Sequence, residues 1–274
     1  STVPPGFTRK MQNKFQSLTV SYVPVRTFEG RAVKDFFIFP HLIGIFEKDT
    51  FKFISQIFER CGAETIMVMP PEKAELAKIF SNIYRQTEMA LANELAHISK
   101  LYGMDPEEVF ELTNRGDPHR NLKKPGIWGG YCLPKDTKML IDAIRKDHDY
   151  HPKIPSVTEE IRNETNRRKA EEILSCGNGI KIGIEGISCK PIESGIGDIR
   201  GSPVLEIIEL MKNNNVDIKI YDPNIPFEEL KNIADYLGVV PARTADEMKE
   251  TDIHVRFEGF DLKIVRNRCR NCAE

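Results

Sequence analysis

The sequence predicts an α/β protein built around one long helix. Three observations carry this reading. Short β-branched and aromatic runs alternate with a helical stripe across residues 1–70. Apolar residues keep a helical period without interruption through Glu72–Tyr102. A strand, a glycine-rich turn, a helix and a second strand follow one another after Gly177.

The chain has 274 residues, a formal net charge of -2 and 40% hydrophobic residues, enough for one large domain or two modest ones. Near-neutral charge argues against a nucleic-acid binder held by phosphate contacts. No apolar run reaches the ~18 residues of a membrane span, and no basic-then-apolar leader is visible. Six cysteines, Cys61, Cys132, Cys176, Cys189, Cys269 and Cys272, are scattered rather than framework-like, which points to a reducing cytoplasm. Cys269-x-x-Cys272 is half of a zinc pattern with no second half and no flanking His, so no metal is expected. The chain opens on Ser1 without a methionine, in a stretch that reads like a strand entering a turn. It is expected to be processed or to be part of something longer.

Taken in order, Gln12–Leu18 is weakly helical and Leu18–Val23 reads as a strand. Phe36–Ile45 is an apolar run broken by Pro40 and His41. Thr50–Cys61 carries a helical stripe of Phe51, Ile54, Ile57 and Phe58, and Thr65–Met69 is a strand closed by Pro70-Pro71. No Gly-x-Gly-x-x-Gly occurs, so a nicotinamide-binding loop of the usual kind is absent. The Glu72–Tyr102 helix, ended by Gly103, far exceeds the usual ~11–12 residues, as helices joining domains or packing in dimers do. On it Glu75, Lys78 and Asn82 share one face. They read either as a solvated face with one Glu–Lys pair, the simpler interpretation, or as a cation and an amide presented to a ligand.

Asp105 caps a short helix to Leu112 with Pro106 at its first position. The loop from Thr113 to Gly130 holds Arg115, His119, Arg120, Lys123 and Lys124, which suits an anionic ligand or a solvated loop. Gly129-Gly130-Tyr131-Cys132-Leu133-Pro134-Lys135-Asp136 follows. Glycines let backbone approach a ligand, and positive charge near a cysteine favours the nucleophilic thiolate, a charge that Lys135 could supply. The competing interpretation is an inert cysteine beside a Gly-Gly turn. Pro134 is expected to force a turn, with a helix from Asp136 to about Asp147 and another from Ser156, as N-cap with Glu159 at N3, to about Leu174. Beyond Gly177 come strand Ile180–Ile184, the glycines Gly195, Gly197 and Gly201, a helix opened by Ser202-Pro203 and running to Asn213, and strand Val216–Tyr221. This is a βαβ unit whose turn and helix start form an anion site. Helix Phe227–Leu237, a strand at Val239-Val240, a short helix Thr244–Glu250 and strands at Ile253–Val255 and Leu262–Val265 complete the chain.

In this order the pieces resemble the UDP-glucose/UDP-N-acetylmannosamine dehydrogenase family over nearly the whole chain. The motifs are Ser1-Thr2-Val3-Pro4-Pro5-Gly6, Glu29-Gly30-Arg31-Ala32, Ala74-Glu75-Leu76-Ala77-Lys78 with Asn82, Asn93-Glu94-Leu95-Ala96, and the cysteine octapeptide extended by Thr137-Lys138. They continue with Lys190-Pro191, Asp198-Ile199-Arg200-Gly201-Ser202-Pro203 and Tyr221-Asp222-Pro223. The resemblance implies a remnant of an amino-terminal Rossmann-like NAD-binding domain at 1–70. It implies a central helical dimerisation and catalytic domain at 71–175, and a Rossmann-like UDP-sugar-binding domain at 176–274.

The resemblance further implies oxidation of a UDP-sugar C6 alcohol to the carboxylate, with NAD used twice, in polysaccharide precursor synthesis. Cys132 resembles the nucleophile that forms a thiohemiacetal and then a thioester. Lys78 and Asn82 resemble the oxyanion holders, and Asp136 the carboxylate that assists proton transfer. Thr2 and Glu29 resemble the residues that position water. Arg120, Gly129, Gly130, Lys190 and Arg200 look like substrate contacts, with Thr2 and Lys135 on the cofactor side. A homodimer through the long helix is implied.

The chain departs from the pattern in several places. Val25 stands where the family has a glutamate, Cys189 stands where it has phenylalanine, and the turn from Lys190 to Arg200 is longer. His254 and Arg256 sit in an expected apolar strand, and the tail from Arg266 is atypical. With no dinucleotide fingerprint, this chain alone is expected to lack dehydrogenase turnover. The rival expectation is a non-catalytic UDP-sugar-binding or dimerising paralogue. Pro134-Lys135-Asp136-Thr137-Lys138 leans to the glucose branch, and the basic Asp117-Pro118-His119-Arg120 loop with Gly129-Gly130-Tyr131-Cys132 leans to the N-acetylhexosamine branch, so the sugar stays open.

Overall fold

The computed structural model describes residues 2–28, 30–116, 119–190, 195–258 and 261–267. Glu29, Pro191, Cys269 and Cys272 lie outside them, as do Asp117 and Pro118 of the basic loop. The chain divides into two compact units, Ser1–Arg85 with Lys135–Ser156 and Gln86–Pro134 with Val157–Glu274.

The first unit opens with α1 (Phe7–Lys14), earlier than the expected Gln12–Leu18 helix. Gly6 takes φ 82 at its N-cap, and Phe7, Met11 and Phe15 recur every four residues, a helical repeat that the sequence reading passed over. The expected strand Leu18–Val23 reduces to one bridge between Tyr22 and Gly44, because β-branched content alone does not supply a partner. The apolar run Phe36–Ile45 is split at Pro40 into α2 (Ala32–Ile38) and β1 (His41–Gly44). Helix α3 (Lys48–Arg60) leads to β2 (Thr65–Val68), which pairs parallel with β1, His41 opposite Thr65 and Gly44 opposite Val68. This two-stranded parallel sheet with its helices is an α/β layer. It leaves Phe53, Ile57, Ile66 and Met67 exposed.

Helix α4 (Glu72–Leu101) is the long helix. Helix α5 (Pro106–Asn114) is capped as expected, the Asp105 carboxylate accepting the Glu107 amide. Helix α6 (Cys132–Asp147) starts four residues before its expected start. Pro134 falls in its first turn, where a missing N–H costs nothing, and forces no turn. Helix α7 (Lys153–Leu174) likewise begins before Ser156, whose hydroxyl donates back to the Pro152 carbonyl instead of capping.

The second unit holds a five-stranded sheet in the order β5-β4-β3-β6-β7. Strands β3 (Lys181–Glu185), β4 (Asp217–Tyr221), β5 (Val240–Pro241) and β6 (Ile253–Glu258) are parallel, and β7 (Asp261–Arg266) is antiparallel to β6. Helix α8 (Pro203–Met211) joins β3 to β4, completing the βαβ unit, and α9 (Phe227–Leu237) joins β4 to β5. Ile182, Ile184, Val255 and Phe257 form the core with Val204, Ile207, Ile208 and Met211 of α8, Leu230 and Ala234 of α9, and Ile173 of α7. Strands alternate faces, so His254 and Arg256 point away from this core. There His254 Nε2 lies 2.9 Å and Arg256 Nε 3.7 Å from the Glu185 carboxylate, which accounts for charge in a strand expected to be apolar.

Candidate functional site

In the first unit the predicted residues gather around buried carboxylates. Asp136 is fully buried; it accepts hydrogen bonds from the Asn82 amide at 2.6 Å and from the neighbouring Lys135 ammonium at 2.5 Å. Two of its lone pairs are thereby matched to donors, the condition for keeping a carboxylate out of water. Lys78 stands one turn before Asn82 on α4 and is half-buried.

Glu75 is not part of a solvated face. It is fully buried and accepts from Gly6 N at 2.6 Å, Thr8 N at 2.7 Å and Thr8 Oγ1 at 2.5 Å. It thus holds the free N–H groups at the start of α1, and with them the Pro4-Pro5-Gly6 turn that follows Thr2. Tyr22, buried on β1's edge, was not anticipated. Burial first, then the charges of Glu75 and Asp136, push its phenol up to about 12, against a hydrogen bond with the Val3 backbone. Thr2 is half-buried and Val25 is exposed. A cleft of ≈ 770 Å³ between the Pro4–Phe7 turn and α6 is lined by Lys10, Lys135, Lys138 and Lys146, with Phe7 and Met139 as apolar walls.

In the second unit Gly129 and Gly130 pack against the turn before α8. Gly130 N donates to Gly201 O at 2.7 Å, and a Cβ on Gly129 would stand 2.4 Å from that same oxygen, so no other residue fits. Arg200 places its guanidinium 4.9 Å from the Tyr131 ring centre and donates twice to Asp198, at 2.8 and 2.7 Å. Arg200's hydrogen bonds, and behind them the Lys190 charge, hold the Asp198 carboxyl below the usual carboxylate range. Cys132 is exposed and is the first residue of α6, where unpaired helix N–H groups stabilise an anion. Arg120 is exposed and Lys190 half-buried. Of the basic loop, Lys123 and Lys124 face Glu88 and Glu107 at 3.7 and 2.9 Å, so part of its charge is already matched. Trp128, the sole tryptophan, is buried two residues before Gly130, its Nε1 without a hydrogen-bond partner among the described residues.

A parallel sheet with a glycine-rich turn feeding a capped helix is a nucleotide-binding architecture. Residues 72–164 match the central domain of the UDP-glucose/GDP-mannose dehydrogenase family, and residues 183–263 match that family's UDP binding domain. The chain belongs to the UDP-glucose/GDP-mannose dehydrogenase family. It is 28% identical over 246 residues to the UDP-N-acetyl-D-mannosamine dehydrogenase of Pyrococcus horikoshii, covering 82% of this chain and 56% of that one. It is 29% identical over 205 residues to the GDP-mannose 6-dehydrogenase of Pseudomonas aeruginosa, covering 73% of this chain and 45% of that one. The fold superposes on a UDP-glucose dehydrogenase from Pyrobaculum islandicum with a TM-score of 0.80 at 23% identity, over 93% of this chain and 61% of that one. The chain therefore spans about half the length of the curated relatives it matches.

Proposed function

We propose that the chain supplies the substrate side and the thiol of an NAD-dependent nucleotide-sugar 6-dehydrogenase, which oxidises the C6 alcohol of a UDP-sugar to the carboxylate. Family membership supports an oxidoreductase acting on nucleotide sugars. The observation that carries the finer reading is the hydrogen bond from half-buried Asn82 to the fully buried Asp136 carboxylate, in a chain that also holds Cys132 and Lys78. The three-part division at 1–70, 71–175 and 176–274 is the functional counterpart of this reading.

In this reading Cys132 adds its thiol to the C6 aldehyde, and the carbonyl oxygen takes a proton to give a thiohemiacetal. Loss of a hydride equivalent from C6 and a proton from the hydroxyl converts that to a thioester. Water then releases the carboxylate and returns the thiol. Lys78 and Asn82 stabilise the oxyanion formed in each addition, while Asp136, pinned by Asn82 and Lys135, moves the proton. Thr2 and Glu29 position the water. Gly129 and Gly130 set the path of the loop at the sugar end, Gly129 through its close packing on Gly201, and Arg120, Lys190 and Arg200 hold the nucleotide end. NAD, when bound, accepts the two electrons of each oxidation. The lysine-rimmed cleft, with Lys135 in its wall, suits a phosphate-bearing dinucleotide, and Thr2 is assigned to the cofactor side in this reading.

A cytoplasmic setting fits both a nucleotide-sugar substrate and the scattered cysteines. Among the described residues no helix is long and apolar enough to cross a membrane. A homodimer through α4 is supported by its exposed apolar residues Phe80, Tyr84, Leu91, Ile98 and Leu101, spaced by three, four or seven. The exposed Val25 favours the second reading, a UDP-sugar-binding paralogue without turnover. Calorimetry with UDP-glucose and UDP-N-acetylhexosamines, combined with alkylation of Cys132, separates the two. Binding with Cys132 protected from alkylation supports the enzyme. Binding with a thiol inert in the free chain supports the paralogue, and no binding overturns both.

A further inference from the structure

We propose that Cys132 and Cys189 form an oxidative modification site, a reversible disulfide that caps the thiol at the start of α6. Cys189 Sγ lies 3.9 Å from where a Gly130 Cβ would sit, which places its thiol against the loop that carries Cys132. Cys132 is two residues further on, so its Cα is within about 7 Å of the Gly130 Cα. Neither cysteine is in a disulfide; Cys132 is exposed and Cys189 half-buried.

The approach is fixed by backbone. Gly130 N donates to Gly201 O at 2.7 Å, and Cys189 N donates to Asp198 O at 2.6 Å, so both loops are anchored to the segment 198–201. A Cβ on Gly201 would stand 2.8 Å from Gly130 O, so the two loops are in close backbone contact there.

The oxidant required is a hydroperoxide. One thiolate attacks a peroxide oxygen, the O–O bond breaks, and a sulfenic acid forms with release of water. The second thiol then displaces hydroxide from that sulfur, forming the S–S bond and a second water. Two thiols lose two electrons in all, and one peroxide becomes two waters. The disulfide shields Cys132 from the irreversible sulfinic state and removes its nucleophilicity until a dithiol reduces it. That consequence for catalysis rests on the role of Cys132 proposed above, whereas the pairing does not.

The test is hydrogen peroxide titration of the folded full chain, with thiol counting and non-reducing peptide mass mapping. The expected result is a loss of two thiols per chain, a dominant peptide joining Cys132 to Cys189, and full recovery with dithiothreitol. In Cys189→Ser and Cys189→Ala, two variants of different polarity, Cys132 should pass to sulfinic acid and recovery should fail. Equal over-oxidation of Cys132 in the unaltered chain and both variants overturns the proposal, as does a link between another pair. Failure of the reduced chain to bind any UDP-sugar would overturn the function proposed above, while the linked peptide would still support the pairing.

Discussion

The Asn82 amide donates a 2.6 Å hydrogen bond to the fully buried carboxylate of Asp136, joining α4 to α6 across 54 positions of sequence. Asn82→Ala removes a donor and leaves part of a buried carboxylate unmatched, a loss of about 1–3 kcal/mol. Asn82→Asp instead sets two carboxylates together and should be the more destabilising of the two at neutral pH, with part of the loss recovered in acid as one is protonated. Urea unfolding of both variants at two pH values checks the order.

Glu75 offers the second measurement. Its three donors, Gly6 N, Thr8 N and Thr8 Oγ1, all point at carboxylate oxygens. Glu75→Gln replaces one oxygen with a donor facing a donor and should cost about 1–3 kcal/mol. Thr8→Val removes only the hydroxyl donor and should cost less, about 1 kcal/mol. Amide exchange at Gly6 and Thr8 should accelerate in Glu75→Gln, and unchanged exchange would show that the start of α1 is held by something else.

Tyr22 gives a pH signature. Its pKa is raised to about 12 from the ordinary tyrosine value. A raised folded pKa means stability fully present below the unfolded value of ~10 and lost as pH rises through the folded one. Stability should therefore fall between about pH 10 and 12, and Tyr22→Phe should remove that part of the loss. Near-ultraviolet phenolate absorbance should show one of the seven tyrosines titrating late in the folded chain and with the rest after unfolding.

Asp198 titrates at the other end of the scale. Its carboxyl is depressed chiefly by Arg200, so the stability it contributes is present above the unfolded carboxylate value and lost as pH falls through the lower folded one. Arg200→Gln should be less stable than the parent at neutral pH, by a small amount because Arg200 is exposed. The gap should close in acid, and a gap independent of pH would locate the role of Arg200 in its stacking on Tyr131.

Gly129 tests the close approach of the two loops. A Cβ there would meet Gly201 O at 2.4 Å and Pro203 Cδ at 2.9 Å. Gly129→Ala should cost about 1–3 kcal/mol by overpacking and weaken UDP-sugar affinity. The lone Trp128, one residue earlier, should report both through its fluorescence.

Much of the second unit was legible in the chain itself, because its signals are local. Asp105 and Ser202 cap their helices and Gly238 at φ 69 stops α9, whereas the strand expected at Ile253–Val255 runs on to Glu258, and its alternation, which puts Val255 and Phe257 in the core, emerged only in the structure. The candidate residues Cys132, Lys78, Asn82 and Asp136 were legible as motifs, through their order along the chain. Their surroundings were not. Glu75 looked like a surface residue because its partners, Gly6 and Thr8, are 69 and 67 positions away, a separation no periodicity records.

The tertiary structure alone decided where charge is buried and which backbone stops being solvated. It moved the start of α6 back to Cys132, since a proline in a first turn is compatible with a helix when the rest of the chain extends it. It dissolved the expected strand at Leu18–Val23 into one bridge, since a strand exists only where a neighbour takes its hydrogen bonds. Sequence by itself determined the α/β class, the long helix, the βαβ unit and the family's ordered motifs, because propensity, capping and spacing act over a few residues. Burial, pKa and the approach of Cys189 to the Cys132 loop depend on contacts between distant segments, and these exist only once the chain has folded.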